Sequence, residues 1–359
     1  MVLDALKDVV GNIKDSAPKV GESLLLFGAD ALPVAISKDN FRPIGVSSGS
    51  DMPVFFIDGG NQEIIGSPQF SVQFIRVYWT KYVSSRRVEC GTDEFFVLAQ
   101  AEAVDGVLSC NIKTFPVRRS MVDESVVGIQ QFFSFRDAVD DVKGFNDSRI
   151  SSLASSFRRK AELSLARSIA MLNPGACVVL DGCLFSTDVS DSKVVADLLA
   201  FADSKDVSVV ALSKSSGMMT ESGCAAGVAL GSFVCAELSD DCWFYHPVAV
   251  FGSDSLFDVC LVKLHPLSRH VFRIDFSRSR TGDLSMLLGV LVSVSCDSCL
   301  LGYPYGLIEA DRFARVSDEE ANYLKTIVED ILRKSGDKGK VSLASLSASD
   351  VHGILDSIR

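Results

Sequence analysis

Val54-Phe55-Phe56-Ile57-Asp58-Gly59-Gly60 is an apolar run that stops at a carboxylate followed by two glycines. A buried strand that ends by presenting an acid over a side-chain-free turn predicts close approach of a cation or a phosphate to that turn. Ala176-Cys177-Val178-Val179-Leu180-Asp181-Gly182 repeats the pattern much later in the chain. Two strand-end aspartates of this kind predict one shared site.

On the N-terminal side of the first stretch, residues 2–15 place Val2, Leu6, Val9, Val10 and Ile13 on one face of an amphipathic helix, expected to pack on the body or on a partner. Gly21 to Ile36 carries few signals. On the C-terminal side, Phe70 to Val117 turns to period two, with runs at 70–80, 95–100 and 107–115 separated by Ser84-Ser85 and Asp105-Gly106, which predicts an antiparallel β-meander. Residues 120–146 are irregular and acidic (Asp123, Glu124, Asp137, Asp140, Asp141) and predict a flexible connection. Ile150, Ala154, Phe157, Ala161, Leu165, Ile169 and Leu172 then follow helical spacing, behind Asn146 or Asp147 as cap, and Asn173-Pro174-Gly175 ends that helix before the strand at 176–181.

A helix at about 191–202 and a strand at 207–212 follow, and continuous apolar strands alternating with helices predict a parallel sheet covered on both faces. Further strands are expected at 247–251, 257–264 and 271–276, and helices at about 283–292 and 318–334. A Gly/Lys/Asp linker is expected from 335, and a short last helix within 347–358. The expected organisation is one domain over residues 1–334, its core at about 53–312, with residues 335–359 appended.

The 359 residues are 47% hydrophobic and 23% charged, which is a soluble globular composition. The opening segment carries Asp4, Lys7 and Asp8 with no apolar h-region behind it, and Leu284 to Leu301 is too polar for a membrane span, so a cytoplasmic location away from membranes is expected. A net charge of −11 argues against a sequence-independent coat on nucleic acid, but not against an enzyme that meets nucleic acid through local basic clusters and a metal. The ten cysteines, such as Cys110, Cys177, Cys235 and Cys260 in apolar strands, read as buried free thiols. Cys296/Cys299 is the one Cys-x-x-Cys, without a second ligand pair nearby.

Path lengths bring in a third acid. The helix from Glu162 to Leu172 advances roughly 15 Å at about 1.5 Å per residue, and the strand from Cys177 to Asp181 returns about 13 Å at about 3.3 Å per residue. Packed antiparallel, the two legs cancel and bring Glu162 beside Asp181. Asp58, Glu162 and Asp181 together would repel one another unless a hard divalent cation neutralised them, and two-metal sites use such an arrangement on phosphodiesters.

The sequence resembles the NurA nucleases of archaea and some bacteria. The resemblance rests on Ile57-Asp58-Gly59-Gly60, Arg158-Arg159-Lys160-Ala161-Glu162-Leu163, Val178-Val179-Leu180-Asp181-Gly182-Cys183-Leu184, Leu212-Ser213-Lys214, and Gly302-Tyr303-Pro304-Tyr305 through Glu309-Ala310-Asp311. It implies a ribonuclease-H-like α/β fold, a mixed sheet flanked by helices with an inserted β-meander and a C-terminal helical elaboration. It implies manganese-dependent (or magnesium-dependent) cleavage of DNA with two ions, end resection in double-strand break repair, and a homodimer docked on the hexameric HerA translocase. Asp58, Glu162 and Asp181 would be the metal-binding catalytic acids, Lys214 would lie near the scissile phosphate, and Asp311, or Glu309 in its place, would complete the metal site. Asp-Gly-Gly stands here where the family has Asp-Gly-Ser.

Two other readings compete. One is a nuclease-like scaffold that binds and regulates a DNA translocase; the other is a sugar-kinase-like ATPase, for which Asp58-Gly59-Gly60-Asn61-Gln62 is a short phosphate signal. Arg86-Arg87 and Arg118-Arg119 read as solvated turns or phosphate contacts, and Arg273 as a strand-edge ion pair or a phosphate contact. Phe74, Tyr78 and Trp79 read as core, with base stacking as the alternative. His246 and His265 read as packing residues.

Overall fold

The computed structural model describes residues 2–15, 24–27, 31–45, 51–67, 69–104, 107–122, 130–134, 147–185, 189–214, 216–234, 238 and 241–336. The expectations placed on Asp105-Gly106, on most of 120–146, on Asn146, on Cys235 and on the tail beyond Gly336 lie outside these residues.

The first part of the chain forms α1 (Val2–Asp15), β1 (Leu24–Leu26), β2 (Ala31–Ala35) and β3 (Phe41–Pro43). Five strands follow: β4 (Val54–Ser67), β5 (Phe70–Val83), β6 (Arg86–Val104), β7 (Val107–Arg118) and β8 (Gln130–Ser134). An alternating part comes next, with α2 (Asp147–Leu172), β9 (Cys177–Asp181), α3 (Val189–Ser204), β10 (Ser208–Ser213), β11 (Met219–Thr220) and α4 (Ala226–Phe233). The remainder is β12 (Trp243–Tyr245), β13 (Ala249–Phe251), β14 (Phe257–Lys263), β15 (Phe272–Ser277), α5 (Leu284–Ser293), α6 (Tyr305–Ala314) and α7 (Asp318–Lys334). Strands β11-β1-β2-β13 make a small sheet, and the other eleven make one large sheet in the order β3-β12-β14-β15-β10-β9-β4-β5-β6-β7-β8.

The large sheet is mixed. β9 runs parallel to both neighbours, β4 and β10, while β5 to β8 continue the sheet beyond β4 as an antiparallel meander. Alternation along the parallel strands divides the core between two faces. Phe55, Ile57, Val178 and Leu180 pack with Ala161, Leu165 and Ile169 of α2 and with Leu198 of α3. Val54, Phe56, Cys177 and Val179 pack with Leu287 and Leu291 of α5 and Leu307 of α6. Each such large side chain, fully buried, contributes about 1.5–3 kcal/mol. α7 covers Ile64, Ile65 and Phe74 through Ala321. No helix among the described residues is long and apolar enough to cross a membrane.

Three expectations change. β4 does not stop at Asp58: it pairs with β5 through Asp58↔Tyr78, Gly59↔Val77 and Gly60↔Arg76 and on to Ser67. The glycines are therefore inside a strand, and they give room to helices instead of forming a turn. A Cβ on Gly59 would lie 2.5 Å from Glu162 Oε1, and one on Gly60 would collide with the carbonyl of Ala314 at the end of α6. β6 is also longer than the expected 95–100, because residues 86–90 are exposed and carry no apolar alternation to reveal a strand. Finally, β8 lies inside the stretch expected to be irregular.

Candidate metal centre

Register sets the site. Ile57 pairs with Leu180 across β4 and β9, so the next residue of each strand, Asp58 and Asp181, falls in the same row and, by alternation, on the α6 side of the sheet. Asp181 also pairs with Leu212 of β10, and Lys214 follows just beyond that strand's end. α6 lies across the same strands and brings Asp311. Carboxylate oxygens of Asp58, Asp181 and Asp311 all lie within 4.8 Å of one another. Lys214 Nζ bridges two of them, 2.7 Å from Asp181 Oδ2 and 2.6 Å from Asp311 Oδ1.

The electrostatics follow from that crowding. Asp58 is buried, and burial, then the charges of Asp181 and Glu162, push its carboxyl from the usual 3.8 up to about 8, against a hydrogen bond from the Gly59 amide and the charge of Lys214. Burial alone would lower Lys214, but its hydrogen bonds to Asp181 and Asp311 hold its ammonium above its ordinary value. Tyr303, 1% exposed, stands against the same acids. Burial, then Asp181, Asp58 and Asp311, raise its phenol far above the usual range.

Three carboxylates at this spacing form a hard oxygen-donor set suited to a divalent cation. A further feature fits such an ion: a positive side chain already bridges two of the acids.

Path lengths predict Glu162 beside Asp181; the structure sets it against Gly59 and turns it to two arginines. It comes from the α2 face over Gly59, fully buried, with Oε1 2.6 Å from Arg158 and Oε2 3.8 Å from Arg159. Burial raises its carboxyl despite those two arginines. It acts on Asp58 through charge and lies outside the three-acid cluster. The arginines belong to a quoted motif without an assigned role; the Arg158-x-x-x-Glu162 spacing, one helical turn, was the signal available.

The other candidates resolve into structural roles. Glu309 is turned away from the cluster and accepts hydrogen bonds from Tyr78 (2.8 Å), Tyr82 (2.6 Å) and Arg87 (2.7 Å), so Asp311 is the acid of this helix that joins Asp58 and Asp181. Burial would raise the Glu309 carboxyl, but its donors, Tyr82 first, hold it below the ordinary value. Arg273 forms a buried two-point pair with Asp275 at 2.6 and 2.8 Å, and Asp275 in turn accepts the Leu184 amide, fixing the chain after Asp181. Phe74, Tyr78 and Trp79 are buried. His246 pairs with Asp258 at 3.0 Å, and the His265 ring accepts the Leu267 amide. Cys296 and Cys299 are exposed free thiols.

No protein-family model matches the sequence, and no curated protein matches it. Among solved structures, the NurA nuclease from Sulfolobus solfataricus superposes at a TM-score of 0.53 over 94% of this chain and 96% of that one, at 13% sequence identity. The chain has a NurA-like fold. At that identity the likeness is one of architecture, a ribonuclease-H-like mixed sheet flanked by helices. The catalytic domain of human Endonuclease V superposes more loosely, at a TM-score of 0.34 and 12% identity over 73% of this chain and 80% of that one. In the NurA-like frame, the three-acid cluster sits where parallel strands β4 and β9 meet helix α6.

Proposed function

We propose that this protein is a metal-dependent nuclease that hydrolyses phosphodiester bonds of DNA. The observation that carries the reading is the row of Asp58 and Asp181 on neighbouring parallel strands, joined by Asp311 from the facing helix. The NurA-like fold supports the same reading.

Asp58, Asp181 and Asp311 would hold a Mn²⁺ or Mg²⁺ ion, and Glu162, charge-coupled to Asp58, would serve a second. When bound, such ions neutralise the phosphate and activate the attacking water. Lys214, on the solvent side of Asp181, offsets the charge of the phosphate. Tyr303 supplies a neutral donor at the floor of the site, and Arg158 and Arg159 fix Glu162.

The wider reading takes residues 1–334 as the nuclease domain, acting as a homodimer with a HerA-type hexameric translocase in end resection and double-strand break repair, within the cytoplasm. A scaffold that mainly binds and regulates a translocase is the second reading. It is favoured by the apolar face of α1, where Val2, Leu3, Leu6, Val9, Val10 and Ile13 are all exposed.

Cleavage of DNA with Mn²⁺ by Asp58→Ala and Asp181→Ala tests the first reading. Both should lose activity; undiminished cleavage by either contradicts it.

A further inference from the structure

Glu309 and Asp311 sit two residues apart on α6, about 200° around the helix axis at 3.6 residues per turn. Between them runs the buried stripe Gly306, Leu307, Ala310 and Ala314 that rests on the sheet. The helix therefore carries one acid on each flank. On one side Glu309 takes Tyr78 and Tyr82 of β5 and Arg87 of β6. On the other, Asp311 meets Lys214, Asp58 and Asp181.

Two glycines fix the height of this helix over β4. A Cβ on Gly306 would run into the Phe56 ring, and one on Gly60 into the Ala314 carbonyl. Apolar contact of this kind is non-directional and leaves rotation about the helix axis soft, whereas three hydrogen bonds to one carboxylate, two from tyrosines on a single strand, resist it. A roll that drew Glu309 away from Tyr78 and Tyr82 would swing Asp311 by the same angle. Tyr78 also stacks on Phe313 of the same helix, ring centroids 5.2 Å apart.

We propose that Glu309 is a positioning residue that sets the rotation of α6 and so holds Asp311 against Asp58 and Asp181. The inference rests on the metal-site reading above. It assigns the Tyr78, Tyr82 and Arg87 cluster, on the far flank of the helix, to metal affinity.

The test is a double-mutant cycle on the full chain, with Mn²⁺ affinity read by electron paramagnetic resonance. Glu309→Gln should weaken Mn²⁺ binding about tenfold, as loss of an outer-shell partner does. On an Asp311→Asn background the same change should have no further effect, because nothing is left to position. Tyr82→Phe, which keeps the ring and removes one donor, should weaken Mn²⁺ in the same direction by less, and it serves the test if Glu309→Gln does not fold. An Asp311→Asn loss of affinity with an additive Glu309→Gln loss, or none, overturns this inference alone. Unchanged affinity in Asp311→Asn overturns the site assignment and this inference with it.

Discussion

Asp58-Gly59 and Asp181-Gly182 are the same two residues at the same place in two parallel strands, yet their glycines exist for different reasons. β9 ends at Asp181; Gly182 has a φ of +109°, a Cβ there would meet nothing within 4 Å, and its amide donates to Leu212 across the sheet. β4 runs on through Gly59 and Gly60, where α2 and α6 press so close that no Cβ fits. One glycine serves the backbone and the other two serve space. The acids differ likewise: Asp181 has Lys214 at 2.7 Å, while Asp58 lies buried against other carboxylates.

The comparison can be broken at several points. The largest expected effect is shared by both strands: Asp58→Asn and Asp181→Asn should each lower Mn²⁺-dependent DNA cleavage by about 10²–10³-fold, the scale of removing one preorganised electrostatic contact. Retention of full rate by either would contradict a site shared by the two strands. Next comes Gly60→Ala, which sets a methyl group against a main-chain carbonyl that cannot swing away. It should cost about 3 kcal/mol in urea unfolding, the upper end of overpacking costs.

An effect of intermediate size separates the two acids by pH. Asp58 keeps its proton to about 8 when folded, against an ordinary 3.8. Its stabilising contribution in the metal-free protein is therefore complete below about pH 4 and lost as the pH rises toward 8. Thermal unfolding without metal should show that decline between about pH 4 and 8. Asp58→Asn should flatten it and leave the protein more stable than wild type at pH 8, whereas Asp181→Asn, which takes a partner from Lys214, should give no such gain. The smallest effect is Gly182→Ala, where strain at positive φ without any clash should cost about 1 kcal/mol. A larger loss for Gly182→Ala than for Gly60→Ala would reverse the roles assigned to the two glycines.

What the sequence revealed follows from the same physics. The period-two meander and the 3.6-period helix ending at Asn173-Pro174-Gly175 were legible because one-sided burial writes a period, and β9 and β10 because burial on both faces writes a continuous apolar run. β3, β12 and α4 were not, since Phe41, Trp243, Tyr245, Ala226 and Leu230 join a core assembled from distant segments and leave no local period. At the site, Asp58 and Asp181 were readable from repeated wording, and the approach of Glu162 from path length. Register decided that β4 continues past Asp58, and the docking of α6 on the sheet decided that Asp311, not Glu309, meets the acids and that Tyr303 faces them.

The most direct test of the central claim, that the two strand aspartates share one cation with Asp311, is an anomalous-difference map from crystals soaked in Mn²⁺. The account predicts a peak bonded to Asp58, Asp181 and Asp311, with the Lys214 ammonium displaced from between Asp181 and Asp311. A soaked crystal with no peak among these three acids would contradict it.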